Sequence, residues 1–313
     1  MLNANTSGST TGTTAEGLDL NVYKPNEKAS NGVILYLHGG GWTLFSAKCF
    51  HATISYIAEY CKITVVSVDY RKSPEAPFPA GLIDCYNGLL WVQRNSKLLG
   101  VDNTKVFVMG DSAGGNLSAA VSLLHRDMKG QSLDNTGDSL PPLAGQVLVY
   151  PTLQGYDFQQ GSMVTNSDFG LSRSAMVHYI SLYLSGNTSL INKIGKPNKL
   201  PDLPATTKPS LLNTGDETDV FNPYIFPLMP GDLSNLPPAY ILIARYDVLR
   251  DDGEKYAKRL EESGNTVVLR EELAGIHGFM MHYNRQKLAR NNLMKISDFI
   301  NNVMEGEDFE LEI

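Results

Sequence analysis

The sequence predicts an α/β fold in which helices cover both faces of a mostly parallel sheet. Short, wholly apolar runs recur along its 313 residues, as expected of parallel strands, which are buried on both faces. Stretches with the apolar period of helices alternate with these runs. We find no fixed-period repeat, so the pattern indicates one layered α/β core that carries a modest insertion.

In chain order, the predicted strands are Leu18–Tyr23, Val33–Leu37, Ile63–Val68, Val106–Met109, Gln146–Tyr150, Tyr240–Ala244 and Thr266–Leu269. The predicted helices are Ser46–Tyr60, Leu82–Leu90, Ser112–Leu124, Ser174–Leu184, Glu254–Glu262 and Asn284–Val303. Pro25 and Pro151 follow two of the strands because proline cannot donate to a strand ladder, and Gly264 is a helix stop signal.

Residues 152–236 interrupt this alternation and divide a core made of residues 17–151 and 237–304. Aromatic residues and methionines are frequent in this insertion. Two compatible interpretations are a loop-rich segment with a small core of its own and a cap that lines an apolar pocket. Residues 1–16 are rich in Asn, Ser, Thr and Gly and predict a disordered tail, and residues 305–313 predict an acidic tail.

Composition excludes several classes of partner. The chain is 42% hydrophobic and carries a formal net charge of −7, which argues against nucleic acid or anionic lipid as a partner. No apolar run is long enough for an integral membrane segment. Cys49, Cys61 and Cys85 lack metal-ligand spacing, and their odd number implies no disulfide framework, which favours a reducing compartment.

The segment Gly110–Gly114 fits the pattern Gly-x-Ser-x-Gly. It lies directly after a predicted strand and opens a predicted helix, where a sharp turn exposes the oxygen of Ser112 as a nucleophile. The positive end of the helix dipole lies nearby. A chance five-residue match is the alternative, and the strand–turn–helix context argues against it.

The segment His38–Gly41 follows the buried strand Val33–Leu37 and contains three consecutive glycines. The candidate oxyanion donors are the exposed amides of Gly39, Gly40 and Gly41, which can act together with the amide of Ala113. Each such donor is typically worth roughly 3 kcal/mol. A flexible turn and a phosphate-binding loop are alternatives, and the second lacks the Lys-Ser/Thr that normally follows.

A nucleophilic serine needs a base. In folds that place a Gly-x-Ser-x-Gly turn between a strand and a helix, the catalytic residues follow the chain order Ser, then Asp or Glu, then His. His277 lies in a loop just after the last predicted strand, which is the topologically correct place. His125 lies too far along the helix that begins at the serine. His178 lies in the insertion, and His282 is the reserve candidate.

Asp247 is the candidate for the acid that orients the base, because it closely follows the strand Tyr240–Ala244. Its loop and that of His277 project from the same end of the sheet, where ligands bind in open α/β folds. Asp251 and Asp252 are nearby and have the position of helix N-terminal residues, which is a structural role.

Five segments in fixed order resemble those of one enzyme family. They are HGGGW (His38–Trp42), VDYR with the proline that follows (Val68–Pro74), GDSAGG (Gly110–Gly115), YDVLRDDG (Tyr246–Gly253) and HGF (His277–Phe279). The family is the hormone-sensitive-lipase-like esterases, and the likeness is strongest to its arylacetamide deacetylase and neutral cholesterol ester hydrolase members. The resemblance covers most of the chain.

This resemblance implies an α/β-hydrolase fold with a cap insertion, and hydrolysis of carboxylic esters without metal or organic cofactor. Some members of the family also cleave aryl amides. The residues carried over are the triad Ser112, Asp247 and His277, the oxyanion donors Gly40, Gly41 and Ala113, and the structural residues His38 and Asp111. We therefore expect a small-molecule ester as the substrate. The sequence leaves open whether the chain forms a homodimer.

The chain departs from these relatives in two respects. They usually carry an N-terminal membrane anchor and cap helices before the first strands, whereas this chain begins almost at the sheet. The deacetylase has a disulfide cysteine after the HGGGW tryptophan, where this chain has Thr43. We expect a cytoplasmic protein, with a lumenal domain of the endoplasmic reticulum as the alternative if an upstream anchor was removed.

The leading hypothesis is an esterase for apolar short- to medium-chain acyl or aryl esters, with aryl-amide deacetylation as an additional activity. One alternative is a receptor-like protein on the same fold that binds ligands without turnover. Another is a peptidase or amidase, because acyl chemistry is shared and specificity lies in the pocket.

Overall fold

The computed structural model describes residues 2–4, 9–13, 17–27, 30–131, 139–159, 161–194, 209–215, 217–229, 231–283 and 285–307, with the backbone alone at 2–4, 9–13, 194, 217 and 218. The strands are β1 Leu2–Ala4, β2 Ser9–Thr13, β3 Asp19–Tyr23, β4 Val33–Leu37, β5 Thr64–Val68, β6 Val106–Asp111, β7 Gly145–Val149, β8 Ala239–Tyr246 and β9 Val267–Ile276. They form one sheet in the order β1-β2-β3-β5-β4-β6-β7-β8-β9.

Parallel pairing runs from β5 to β9, whereas β1, β2 and β3 form an antiparallel edge. The helices are α1 His51–Cys61, α2 Ala80–Arg94, α3 Ser96–Leu99, α4 Ala113–Asp127, α5 Ser162–Thr165, α6 Arg173–Ser185, α7 Ile191–Ile194, α8 Arg250–Glu262 and α9 Lys287–Glu305. The mostly parallel α/β sheet expected from the sequence is confirmed. No helix within the described ranges is both long and apolar enough to cross a bilayer.

Side chains of β4 show how the sheet is covered on both faces. Val33, Leu35 and Leu37 belong to the core that includes residues of α2, α4 and α8, while Ile34 and Tyr36 belong to the core that includes residues of α1 and α9. All five are buried, because successive side chains of a strand point to opposite faces. A continuous apolar run is therefore what this strand requires.

Strand β9 is longer than the sequence predicts. The apolar run indicates a strand only at Thr266–Leu269, whereas β9 extends to Ile276. It remains paired with β8 as far as Tyr246 opposite Ile276, with a bulge between Ala244 and Tyr246. Backbone hydrogen bonds make this pairing, and at the edge of the sheet the exposed side chains need not be apolar. As a result, β9 ends one residue before His277.

The N-terminal residues differ in part from the expected disordered tail. Strand β2 pairs antiparallel with β3, from Ser9 opposite Tyr23 to Thr13 opposite Asp19, and β1 pairs with β2. A backbone ladder needs no apolar side chains, so composition gives no sign of these strands. The rest of the predicted tail, and residues 308–313 of the predicted acidic tail, lie outside the described residues.

The buried apolar residues that the structure describes in the insertion belong to the core on one face of the sheet. Phe158, Ile180, Tyr183 and Phe226 belong to the same buried cluster as Leu117 of α4. Residues of α6 are therefore part of the core that covers this face of the sheet. The described part of the insertion is thus held by the main core, while its residues 160, 195–208, 216 and 230 lie outside the described part.

Candidate active site

Ser112 lies on a sharp turn between β6 and α4. Its φ of 57° and ψ of −120° are strained for a residue with a side chain, which typically costs about 1–3 kcal/mol. The turn is over-determined, since the Ser112 amide donates to the carbonyl of Val149 at 2.8 Å. A Cβ on Gly114 would overlap the carbonyl oxygen of Leu37, and one on Gly110 would overlap the Gly114 carbonyl. Both glycines are therefore required by close packing.

A hydrogen-bonded relay connects the three residues singled out as nucleophile, base and acid. His277 Nε2 lies 2.9 Å from Ser112 Oγ, and His277 Nδ1 lies 2.7 Å from Asp247 Oδ2. The side chain of Asp247 is fully buried, and its Oδ1 accepts the amide of Leu249 at 3.0 Å. Gly278, with φ of 82°, turns the chain after His277. The structure thus brings the three together from the ends of β6, β8 and β9.

Neighbouring carboxylates raise the pKa of the His277 imidazole above its ordinary value. Burial lowers the pKa of His277, but the Asp247 carboxylate, through charge and hydrogen bond, and Asp111 raise it, and the net direction is upward from 6.5. An imidazolium formed when His277 takes the serine proton is therefore stabilised by these carboxylates. This is the electrostatic arrangement that a general base paired with a serine needs.

The three glycines after His38 have different roles. The amide of Gly39 donates to Asp111 Oδ1 at 3.0 Å, so the structure uses it to hold the loop, and this differs from its expected role as an oxyanion donor. The amides of Gly40, Gly41 and Ala113 find no acceptor among the residues that the structure describes. Gly40 and Gly41 have φ of 121° and 60°, which favour glycine.

His38 and Asp111 hold the glycine loop (His38–Gly41) in place through ring packing and hydrogen bonds. The His38 ring is buried and stacks between Phe50 and Tyr70, with centroids 5.2 and 4.5 Å away. Burial lowers its pKa to about 4, so the ring is neutral. Asp111 accepts from the hydroxyl of Tyr36 at 2.8 Å as well as from Gly39. These contacts fit the structural role that the resemblance implies for both residues.

The other candidate histidines lie away from Ser112. His125 Nε2 lies 2.9 Å from the carbonyl of Pro141, near the far end of α4 and beside a separate cavity of about 600 Å³. His178 and His282 have exposed side chains. None of the three has a hydrogen bond to the serine.

Asp251 and Asp252, the two carboxylates near Asp247, connect the insertion to α8. Asp251 Oδ2 accepts the amide of Ser162 at 3.0 Å, and Asp252 Oδ2 accepts those of Leu153 and Gln154 at 3.1 and 3.3 Å. Asp252 is buried, and burial raises its pKa to about 7. Both lie in the first turn of α8, as the sequence predicts, but they bind backbone amides of the insertion.

A cavity of about 160 Å³ opens on Ser112 and His277. Besides Gly40 and Gly41 of the glycine loop, its walls are mainly apolar and include Leu44, Phe45, Leu171, Met176, Tyr179 and Met281. The sequence pointed to Met176 and Tyr179 of the insertion as part of a segment that lines an apolar pocket, whereas it did not point to Leu44, Phe45 or Met281. The available signal was apolar side chains in loops: Leu44 and Phe45 follow the HGGGW segment and are 44% and 47% exposed.

Trp42 joins the glycine loop His38–Gly41 to the insertion. Its ring stacks on Tyr183 of α6 with centroids 4.4 Å apart and 4° between the planes. Its Nε1 donates to Asn116 Oδ1 at 3.2 Å, and a Cβ on Gly41 would lie 2.6 Å from the Tyr179 ring. Helix α6 therefore rests directly on the loop that carries the proposed oxyanion donors. Among the described residues, no cluster of His, Cys, Asp or Glu could hold a metal ion.

The sequence is similar to those of known proteins. A family model described as the α/β-hydrolase fold matches residues 34–217 and 207–281, a span that contains Ser112, Asp247 and His277. The chain is 34% identical over 265 residues to the arylesterase of Saccharolobus solfataricus, which covers 84% of this chain and 73% of the relative.

It is also 34% identical over 299 residues to the arylacetamide deacetylase of Mus musculus, which covers 85% of this chain and 73% of that protein. Among solved structures, EstE1, a thermostable carboxylesterase cloned from a metagenomic library, is similar with a TM-score of 0.75 at 29% identity. That match covers 94% of this chain and 88% of the other.

Proposed function

The chain belongs to the α/β-hydrolase family, and on that premise we propose that it cleaves apolar short- to medium-chain acyl or aryl esters through a Ser112–His277–Asp247 triad. Within the family it is one of the hormone-sensitive-lipase-like esterases and thus a serine ester hydrolase. The observation that carries the triad is the relay of 2.9 and 2.7 Å that joins the strained serine to the buried carboxylate.

In the first step, His277 Nε2 takes the proton of Ser112 Oγ as the oxygen attacks the ester carbonyl. Asp247 holds the Nδ1–H tautomer and stabilises the imidazolium. The negative charge on the tetrahedral carbonyl oxygen is bound by the amides of Gly40, Gly41 and Ala113. A donor of this kind typically contributes roughly 3 kcal/mol to the transition state.

In the second step, His277 gives its proton to the leaving alcohol, and the acyl group stays on Ser112. A water molecule then loses its proton to His277 and attacks the acyl-enzyme. The second tetrahedral intermediate collapses, releases the carboxylic acid and returns the proton to Ser112.

The cavity supports the proposed substrate range. Its volume of about 160 Å³ lies below the roughly 300–1,000 Å³ that is typical of pockets for drug-sized ligands. Such a space accommodates an acyl chain of a few carbons better than a long fatty acid. The walls of leucine, phenylalanine and methionine favour apolar groups on both sides of the ester.

We would measure hydrolysis of p-nitrophenyl esters from acetate to palmitate with the wild type, Ser112→Ala and Ser122→Ala. Ser122 lies on α4, the helix that follows Ser112, where its hydroxyl donates to the Ser118 carbonyl, and it serves as the control. We expect activity that peaks at short to medium chains, is lost in Ser112→Ala and persists in Ser122→Ala. Near-normal turnover in Ser112→Ala would refute the assignment of the nucleophile.

The similarity to arylacetamide deacetylase favours one additional activity, cleavage of aryl amides. The test is hydrolysis of an aryl acetamide and the corresponding aryl acetate by the same preparation. Labelling with a fluorophosphonate addresses the receptor-like alternative, because only an activated serine reacts. A folded wild type that labels and cleaves neither substrate class would contradict the esterase proposal.

A further inference from the structure

The insertion contacts the backbone that carries the triad acid. Asn166 follows the short helix α5, and its side-chain Nδ2 donates to the carbonyls of Arg245 and Asp247, each at 3.0 Å. The two carbonyls flank Tyr246, where β8 has a bulge relative to β9. One side-chain amide of the insertion therefore binds two carbonyls, two residues apart, near the point where the regular ladder is interrupted.

Neighbouring residues of the insertion reinforce this contact. Ser162 Oγ donates to the Val248 carbonyl at 2.8 Å and accepts the amide of Asp251 at 3.1 Å. The ring of Phe169 packs against Tyr246 with centroids 5.2 Å apart. Residues 162–169 thus lie along residues 245–251, and side chains of the first segment bind mainly backbone atoms of the second.

From the opposite side, the same segment is held by the sheet. Arg245 and Arg250 both bind the Glu271 carboxylate of β9, at 2.7 and 2.8 Å. These side chains hold the two ends of the segment, whereas Asp247 lies between them. Asn166 is the cap residue that binds the backbone of Asp247 itself.

We propose that Asn166 is a positioning residue of the esterase reaction, which holds the backbone at Asp247 so that its carboxylate meets His277 Nδ1. This inference rests on the proposed triad. The hydrogen bond from His277 to Asp247 is 2.7 Å long, and a shift of the acid by about 1 Å would break it. Misplacement of that size in an active site can cost about a hundredfold in rate.

In Asn166→Ala, we expect kcat for p-nitrophenyl butyrate to fall by about 10- to 100-fold. KM should change little, since Asn166 is not among the residues that line the cavity. The neutral isostere Asn166→Leu should show the same loss, because it keeps the volume and removes the donor. Both variants should fold, as Asn166 is only half-buried.

The pH profile separates positioning from general loosening of the fold. His277 faces Asp247 after β8, Asp111 at the end of β6 and the Tyr150 ring at 4.9 Å. If Asp247 moves away, the carboxylate that most raises the pKa of His277 is lost while burial still lowers it. The neutral base then persists to lower pH, so the acidic limb of kcat/KM should move to lower pH in Asn166→Ala.

Asn213→Ala is the matched control. Asn213 also lies in the insertion, and its Nδ2 donates to two backbone carbonyls, those of Phe78 and Leu184, at 2.7 and 2.6 Å. Those carbonyls belong to no triad segment. We expect this variant to lower the melting temperature while its acidic limb stays at the wild-type pH.

The two proposals fail in different ways. If Asn166→Ala and Asn166→Leu keep the wild-type kcat, or show the same unshifted pH profile as Asn213→Ala, the positioning role is refuted while the esterase stands. If the folded wild type neither hydrolyses esters nor reacts with a fluorophosphonate, the function itself is refuted.

Discussion

Replacing Asp247 by Asn tests whether the carboxylate sets the tautomer of His277. Asp247 Oδ1 faces a donor, the amide of Leu249 at 3.0 Å, and Oδ2 faces His277 Nδ1 at 2.7 Å. In Asp247→Asn, the amide oxygen stays with the Leu249 donor, so the NH₂ group points at the imidazole. Nδ1 must then accept, and the proton moves to Nε2, where it faces Ser112 Oγ.

A histidine with its proton on Nε2 cannot accept the proton of the serine, so the base is lost while the geometry is kept. In triads of this kind, the wrong tautomer lowers kcat by about 10⁴. That factor corresponds to about 5 kcal/mol of transition-state stabilisation. KM should change little, because Asp247 does not line the cavity.

The assay is steady-state hydrolysis of p-nitrophenyl butyrate by wild type, Asp247→Asn and Asp219→Asn, with melting temperatures measured in parallel. Asp219 is also buried and accepts the amides of Thr214 and Gly215, but it lies in the insertion away from His277. The control should retain wild-type kcat. An Asp247→Asn protein that keeps its fold and loses less than about tenfold in kcat would show that another group orients the base.

Because the pKa of His277 is raised and the neutral ring is the base, kcat/KM should fall on the acidic side with a midpoint above 6.5, and a midpoint below 6.5 would contradict the electrostatics. Burial raises the pKa of Asp252 from 3.8 to about 7. Between these two pH values the folded protein holds a proton that the unfolded chain has released, so the free energy of unfolding falls as the pH rises. The melting temperature of Asp252→Asn relative to wild type should therefore increase from pH 5 to pH 8, and a constant difference would refute this. Tyr179→Ala should enlarge the cavity and so raise the ratio of kcat/KM for the octanoate ester to that for the butyrate ester. His178→Ala, on the exposed side of α6, should leave that ratio unchanged. Equal ratios in both variants would exclude Tyr179 from the pocket wall.

Local signals explain what the sequence could predict. The strand Val33–Leu37 has its predicted bounds because a run buried on both faces must be continuously apolar. The turn at Ser112 was recognisable because Gly110 and Gly114 leave no room for a Cβ. Chain order and strand ends then singled out Asp247 and His277, which the structure brings together.

Other features depend on partners that are distant in sequence. The Gly39 amide looks identical to those of Gly40 and Gly41 in the sequence, but Asp111, 72 residues away, accepts it. The extension of β9 follows from backbone pairing with β8, which leaves no apolar pattern. The contact of Asn166 with the Asp247 carbonyl joins residues 81 positions apart, in a loop with no periodicity.

The sequence by itself determined the elements whose requirements are local: buried strands, amphipathic helices, and a turn that only glycines permit around Ser112. It also determined which residue types could form a relay, because chain order and strand ends restrict the choices. The tertiary structure decided which glycine amides have an acceptor among the described residues, how large the cavity is and which side chain of the insertion binds the Asp247 carbonyl. These depend on distances between separate segments, which are set when the cap packs on the sheet and carry no signal along the chain.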